Sequence, residues 1–407
     1  MRLLARAAVA CAAVTGVACL QQPPGCDAFR VYFNQGGAVP SGVDFCTLDV
    51  SQWLIAPSTL TVTGRGSCLP GANYSQWQQG VWPYISSAGE AVAGGVPQAA
   101  NLSLHLDAVR ATLRSWVPEP AAYAGNAVID MEFWRPDFSA LAPPYRNLSI
   151  ALVRAQHPQW DESALEAAAG RAFEAAALDF MEATLRTYAE LMPNARVGFY
   201  GYPANYYYPC GENHNTTQCG YDNPGVGAGL RAKNDAQARV FAASTALFPS
   251  IYLPSNTNTS AALPHHQEYV AATVAEAVRL RDAHAPRARV LPFAWNFYHD
   301  GRALLLPGDM AAELAGPPQS GADGVILWGA PIFYNETLPN LQYLNATLGP
   351  LAKQTVAGAC ECAEQRCSGH GACAAQGGCR CLPGFSGPSC SGSSGSPRAA
   401  SLALGGE

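Results

Sequence analysis

Ala127-Val128-Ile129-Asp130-Met131-Glu132-Phe133-Trp134-Arg135-Pro136 joins an apolar run to two carboxyls spaced two residues apart. Three apolar residues in succession, two of them β-branched, fit a strand buried on both faces, as in a parallel sheet. Residues i and i+2 of a strand share a face, roughly 6 to 7 Å apart along it, so Asp130 and Glu132 project together from the strand's end. Two acids so placed do not readily both ionise. The one in the less polar surroundings keeps its proton near neutral pH and is poised as a general acid.

Outward from this stretch, short strand-like runs alternate with long helical ones. Strands are expected at 29–34, 127–134, 196–200, 250–253, 290–297 and 324–328, and helices at 106–117, 162–192, 234–248, 267–284 and 338–356. That alternation predicts a parallel sheet wrapped by helices. No Gly-rich turn of the dinucleotide or P-loop kind follows any of these strands, and aromatic and acidic residues gather at their C-terminal ends. Both features favour a TIM-like (β/α) barrel, regular or distorted, over an open doubly wound sheet. No internal repeat is evident.

The chain has 407 residues, 49% of them hydrophobic and 13% charged, enough to bury one large core or two ordinary ones. Positive charge at Arg2 and Arg6 precedes an apolar stretch to about residue 20, the layout of a secretory signal peptide. No other stretch reaches the roughly 18 apolar residues of a membrane span. Asn73, Asn101, Asn147, Asn215, Asn258, Asn335 and Asn345 each open an Asn-x-Ser/Thr site, which fits passage through a glycosylating lumen. Of the 14 cysteines, Cys11 and Cys19 fall in the signal, leaving an even set suited to an oxidising compartment. The formal net charge of −6 argues against nucleic acid as a partner and makes a polyanionic substrate less than obvious.

Near the C-terminus, Cys362, Cys367, Cys373, Cys379, Cys381 and Cys390 follow one another closely, with Ser368-Gly369-His370-Gly371 and Pro383-Gly384-Phe385-Ser386-Gly387 between them. So short a segment cannot build an adequate apolar core and needs cross-links. His370 and the Cys-x-Cys pair admit a zinc reading, but a secreted context and the glycine-rich turn favour disulfides. The spacing resembles an EGF-like module, which implies the pairs Cys362–Cys373, Cys367–Cys379 and Cys381–Cys390. The expected division is a signal peptide over 1–20, a barrel over 26–356, the EGF-like module over 358–391 and a flexible tail over 392–407.

Trp134 and Arg135 offer an aromatic face for a sugar ring and a fixed cation beside the acids, unless Arg135 simply neutralises a buried carboxylate. Strand geometry alone also admits Asp130 as a direct nucleophile, since retaining pairs need carboxyls about 5 Å apart. The ten-residue stretch resembles the catalytic signature of the hyaluronidases, glycoside hydrolase family 56. Gly94-Gly95-Val96-Pro97-Gln98, Arg154-Ala155-Gln156-His157-Pro158, Gly198-Phe199-Tyr200-Gly201-Tyr202-Pro203, Pro249-Ser250-Ile251-Tyr252-Leu253-Pro254 and Gly324-Val325-Ile326-Leu327-Trp328 agree in order and content. The resemblance implies retaining hydrolysis in which the substrate's acetamido oxygen attacks the anomeric carbon. Glu132 is then acid and later base, Asp130 positions the acetamido group, and Tyr200, Tyr252 and Trp328 line the N-acetylglucosamine subsite. Without that likeness, Tyr252 and Trp328 read as ordinary core residues.

The chain departs from the family pattern in places. Ala204 and Asn205 replace an acidic residue and a cysteine, which suggests a bond between Cys210 and Cys219 instead. Thr273 stands where family members carry an arginine, and a cysteine is missing around Thr337, so Cys26, Cys46, Cys68 and Cys360 pair in some other way. These changes surround the substrate groove and leave the polymer open. Hyaluronan leads; chitin-like or chondroitin chains and a non-catalytic, glycan-binding adhesion protein are the alternatives. Arg146, Arg154, Arg231 and Lys233 are surface cations available to offset uronate charge. His265-His266 reads as an exposed pair at a helix start. No cofactor and no metal are expected, and the partner is a glycosaminoglycan met by a monomer outside the cell or in a lysosome-like compartment.

Overall fold

The structure, a computed structural model, describes residues 28–34, 48–63, 68–69, 79–203, 221, 223–254, 263–299, 303–328, 337–374, 377–382 and 384–393. The expected signal peptide, most of the tail, Cys26, Cys46, Cys210, Cys219, Asn73, Asn215, Asn258 and Asn335 lie outside the described residues.

Strands β1 (Arg30–Asn34), β2 (Ile55–Ala56) and β3 (Thr61–Val62) come first, followed by a small hairpin of β4 (Tyr84–Ile85) and β5 (Ala91–Val92). Then come β6 (Asn126–Ile129), β7 (Arg196–Phe199), β8 (Ala246–Leu247), β9 (Arg289–Val290), β10 (Phe293–Trp295) and β11 (Gly324–Trp328). Parallel pairing runs β10-β11-β1-β2 and β3-β6-β7, and β8 pairs with β9. Single parallel bridges from Tyr200 to Phe248 and from Ser250 to Phe293 join these pieces, while the chain itself steps from β2 to β3. The result is a distorted TIM-type barrel.

Alternation along each strand sorts side chains between two cores. Tyr32, Val128 and Ile326 fill the barrel with Phe248, Leu291 and Phe293, whereas Val31, Phe33, Ala127, Ile129, Val325 and Leu327 pack under the outer helices. Both faces are buried, which is why these strands read as continuous apolar runs. Gly198 in β7 is required by close approach, because a Cβ there would overlap the Ala246 carbonyl oxygen.

The outer layer comprises α1 (Leu102–Trp116), α2 (Pro143–Gln156), α3 (Glu162–Leu191), α4 (Pro224–Asp235), α5 (Ala238–Ala243), α6 (Leu263–His284), α7 (Pro307–Gln319), α8 (Thr337–Tyr343) and α9 (Gly349–Arg366). Asp161 caps α3 by accepting the Ala164 N–H at 2.8 Å. The buried stripe Leu165, Ala169, Phe173, Ala177, Phe180, Leu185 and Tyr188 then holds α3 on the barrel, each large apolar side chain contributing about 1.5 to 3 kcal/mol.

Several expectations require correction. The helix expected over 234–248 breaks into α4 and α5 and ends before β8, because Ala246 and Leu247 pair with Arg289 and Val290. Residues 250–253 are extended with one bridge rather than a strand. Helices α2 and α7 were not anticipated; each opens on proline, and α7 carries Pro317 and Pro318 in its last turn. His266 is 2% exposed, turned onto α7 with Nδ1 at 2.7 Å from Asp309 Oδ1, while His265 alone is exposed.

At the C-terminus, α9 runs unbroken through the expected junction at 356–358 and carries Cys360 and Cys362 on its closing turns. Beyond it, β12 (Gly371–Cys373) pairs with β13 (Cys379–Cys381), and β14 (Phe385–Ser386) with β15 (Gly392–Ser393), both antiparallel. Disulfides join Cys362 to Cys373, Cys367 to Cys379 and Cys381 to Cys390. Cys68 and Cys360 are also disulfide-bonded. His370 stacks on Phe385 with ring centres 3.8 Å apart.

Candidate active site

At the C-terminal end of the barrel strands lies a cavity of about 220 Å³ lined by Asn34, Thr63, Val128, Asp130, Glu132, Tyr200, Tyr252, Phe293, Trp295, His299 and Trp328. Strand β6 ends at Ile129, so both acids stand just beyond its last paired residue. Asp130 is half-buried, Met131 is buried on the opposite side and Glu132 is exposed, which keeps the two carboxyls on the cavity side. Gln79 fixes this strand end. Its Oε1 accepts the Asp130 N–H at 2.8 Å and its Nε2 donates to the Val128 carbonyl at 2.9 Å, with the side chain 3% exposed.

The far wall is aromatic. The rings of Tyr252 and Trp328 stack with centres 6.0 Å apart, and Trp295 lies 4.7 Å from Trp328. Tyr252 donates to the Tyr200 hydroxyl, which donates in turn to Ser250 Oγ at 3.4 Å. Burial first, and then the neighbouring Tyr200, push the Tyr252 phenol well above its usual range, so it stays a neutral donor. Behind this wall, α7 presents two buried acids. Asp309 receives His266 Nδ1 and the Tyr298 hydroxyl, and Glu313 Oε2 accepts the Trp295 N–H at 2.9 Å. Burial raises the Glu313 carboxyl well above the carboxylate range, with Asp309 adding to the shift.

Of the residues singled out from the sequence, Asp130, Glu132, Tyr200, Tyr252 and Trp328 share this cavity. Trp134 does not, and its expected role as a sugar platform is corrected. It is 3% exposed, packs edge-on to Trp82 and Phe173, and donates its indole N–H to the Pro83 carbonyl at 2.7 Å. The backbone has left the strand after Ile129, which turns Trp134 under α3. Arg135 also lies outside the lining; it donates to the Met131 carbonyl at 3.0 Å and rests over the Tyr202 ring.

The other cations are engaged elsewhere. Arg146 pairs with Glu166, Arg154 with Glu162 at 2.6 Å, Arg231 with Glu276 at 3.7 Å and Lys233 with Asp137 at 2.7 Å. Thr273 is buried on α6. Asn101, Asn147 and Asn345 are exposed. Asn34, Thr63, Trp295 and His299 carry no motif; the signal that finds them is their position at or just past the C-terminal ends of β1, β3 and β10.

The sequence profile of the family described as Hyaluronidase (Glyco_hydro_56) matches residues 72–378. Hyaluronidase-1 of Sus scrofa is 38% identical over 306 residues, 73% of this chain and 67% of that protein. The hyaluronidase of Apis mellifera is 37% identical over 269 residues, 64% of this chain and 67% of that protein. Among solved structures, bee venom hyaluronidase in complex with a hyaluronic acid tetramer superposes with a TM-score of 0.63 at 29% identity, covering 80% of this chain and 99% of that one.

Proposed function

The chain belongs to the hyaluronidase family, glycoside hydrolase family 56, and on that premise we propose that it is an endo-β-N-acetylhexosaminidase cutting internal β-1,4 bonds of hyaluronan with retention. One observation carries the reading: two carboxyls from a single strand end open into the same cavity as Tyr200, Tyr252 and Trp328.

In this mechanism Glu132 protonates the glycosidic oxygen as the bond to the anomeric carbon breaks, and the substrate's own acetamido oxygen closes onto that carbon. Asp130 accepts the acetamido N–H and offsets the positive charge that develops there, an electrostatic task suited to a backbone held by Gln79. Glu132, now ionised, takes a proton from water as the water's oxygen bonds to the anomeric carbon and the acetamido oxygen leaves it, which returns Glu132 to its protonated form. Tyr252, kept neutral by burial, and its stack on Trp328 shape the sugar subsite.

No described helix is long and apolar enough to cross a membrane. The three disulfides fit an oxidising setting, outside the cell or in a lysosome-like compartment. The test is reducing-end release from hyaluronan, chondroitin and chitin oligomers at acidic and neutral pH. Hyaluronan cleavage that disappears in Glu132→Gln is the expected result. Oligosaccharide binding without release at any pH makes the protein a lectin instead.

A further inference from the structure

A polyanion entering this cavity meets two carboxyls, Asp130 and Glu132, and among the described lining residues one side chain able to carry positive charge, His299. The other cations singled out from the sequence lie outside the cavity lining: Arg135 donates to the Met131 carbonyl, and Arg146, Arg154, Arg231 and Lys233 form ion pairs elsewhere. His299 follows β10 by four residues, is exposed, and has its backbone fixed by donating to the Leu253 carbonyl at 2.8 Å. Its ring stands 6.0 Å from that of Tyr252, at the rim of the aromatic pocket.

We propose that His299 is the residue that receives a uronate carboxylate of the substrate, so that this chain recognises its polyanion through a titrating cation. The proposal rests on the hyaluronan reading above. When an N-acetylglucosamine occupies the pocket of Tyr200, Tyr252 and Trp328, the alternating polymer places a glucuronate on either side of it, and a rim residue meets that uronate. Histidine is the side chain whose charge changes within the physiological pH range, so carboxylate recognition by it is pH-dependent. The groups that face it are Tyr252 and Tyr200 on the pocket wall and Asp130 and Glu132 across the cavity, with Glu313 behind the wall. Tyr298, its neighbour in sequence, points away into Asp309.

The sign follows from linkage. Gaining a carboxylate partner raises the imidazole's value in the complex, so binding is tightest below the free value and fades as pH rises through the bound one. A charge-assisted hydrogen bond at a partly exposed site corresponds to about tenfold in affinity.

The experiment measures binding of a hyaluronan hexasaccharide and its carboxyl-reduced, neutral counterpart at pH 5 and pH 7.5. It uses Glu132→Gln, which removes turnover and one titrating acid, and the double variant that adds His299→Gln. The expected result is about tenfold tighter binding of the charged ligand at pH 5 in the single variant, lost in the double variant, with no such gain for the neutral ligand. Equal pH dependence in the two variants, equal losses for charged and neutral ligands, or no binding of either ligand overturns the proposal. Turnover by wild type is scored separately. If the binding pattern holds while wild type releases no reducing ends, the hydrolase reading fails and the assignment of His299 stands; turnover without the pattern reverses the two.

Discussion

At the scale of single residues, burial decides roles that residue type alone leaves open. His105 in α1 is fully buried, its Nε2 at 2.9 Å from Thr184 Oγ1, and that hydroxyl donates to the Phe180 carbonyl. The hydroxyl's proton is therefore spent, and the imidazole must be the Nε2–H donor. Burial lowers its value from 6.5 to about 4. The unfolded chain thus binds a proton in this window that the folded chain refuses. His105 costs nothing above pH 6.5, and stability drains away as pH falls toward 4, by about 3 kcal/mol in all. Denaturant unfolding at pH 7 and pH 4.5 should show this slope in wild type and a shallower one in His105→Gln. Trp134 is the companion case. Because it packs in the core, Trp134→Ala should cost about 3 to 5 kcal/mol of stability. Trp134→Phe, which keeps an aromatic ring in the core, should bind oligosaccharide as wild type does once folding is verified by its thermal transition, and a selective loss of affinity in it would restore the sugar-platform reading.

Elements carry the next set of consequences, because each cavity residue is only as well placed as the strand end beneath it. Gln79 pairs two backbone groups at the end of β6, so Gln79→Ala leaves the Val128 carbonyl and the Asp130 N–H unpaired at about 1 to 3 kcal/mol each. Turnover should fall by at least about tenfold as Asp130 drifts, with a smaller change in affinity. Helix α7 makes the matching tie on the other wall, where buried Glu313 accepts the Trp295 N–H. Its raised value means the folded chain favours the neutral acid, a contribution present below the unfolded value and lost as pH rises through the folded one. Glu313→Gln keeps the acceptor and removes the ionisation, so it should raise Tm at pH 8 more than at pH 4.5. How much of this was legible in the sequence follows the same division. Strands β1, β6, β7 and β11 and helices α3 and α6 announce themselves through apolar periodicity, and the strand-end rule places Asp130 and Glu132. Strand β8 does not, since Ala246 and Leu247 sit in an alanine-rich run that reads as helix until pairing with β9 decides otherwise. Helix α7, with its two terminal prolines, was invisible for local reasons, and with it the buried partners of His266 and Trp295. His299 belongs to no motif at all; only the fold brings it into the cavity that Glu132 also lines.

The molecule as a whole has two ends with different chemistry. The cavity opens where the strands finish, whereas Asp323 sits just before β11 and Arg289 begins β9, at the opposite end of the barrel. There Asp323, 1% exposed in its side chain, meets Arg289 at 3.0 Å, Arg281 at 3.6 Å and Arg380 from the disulfide-linked module, and also accepts the Val290 N–H at 2.8 Å. Burial and the nearby Arg281 and Arg289 lower the Arg380 guanidinium to about 10, which leaves it charged at neutral pH. Asp323 therefore meets three cations, two from the barrel and one from the module, with the exposed Asp282 also on Arg281 at 2.8 Å, and loss of the buried carboxylate exposes much of their mutual repulsion in a poorly solvated place. Asp323→Asn should cost about 3 to 5 kcal/mol, the range for breaking a buried charge pair, whereas Arg380→Gln, which removes one of the repelling cations, should cost much less. Because this clamp lies away from Asp130 and Glu132, the KM of the folded Asp323→Asn protein should stay at the wild-type value while its Tm falls and protease cuts the module's linkages faster. A raised KM at unchanged Tm would instead make the module part of the substrate groove, with its pull on the barrel felt at the cavity rather than at the strands' opening residues.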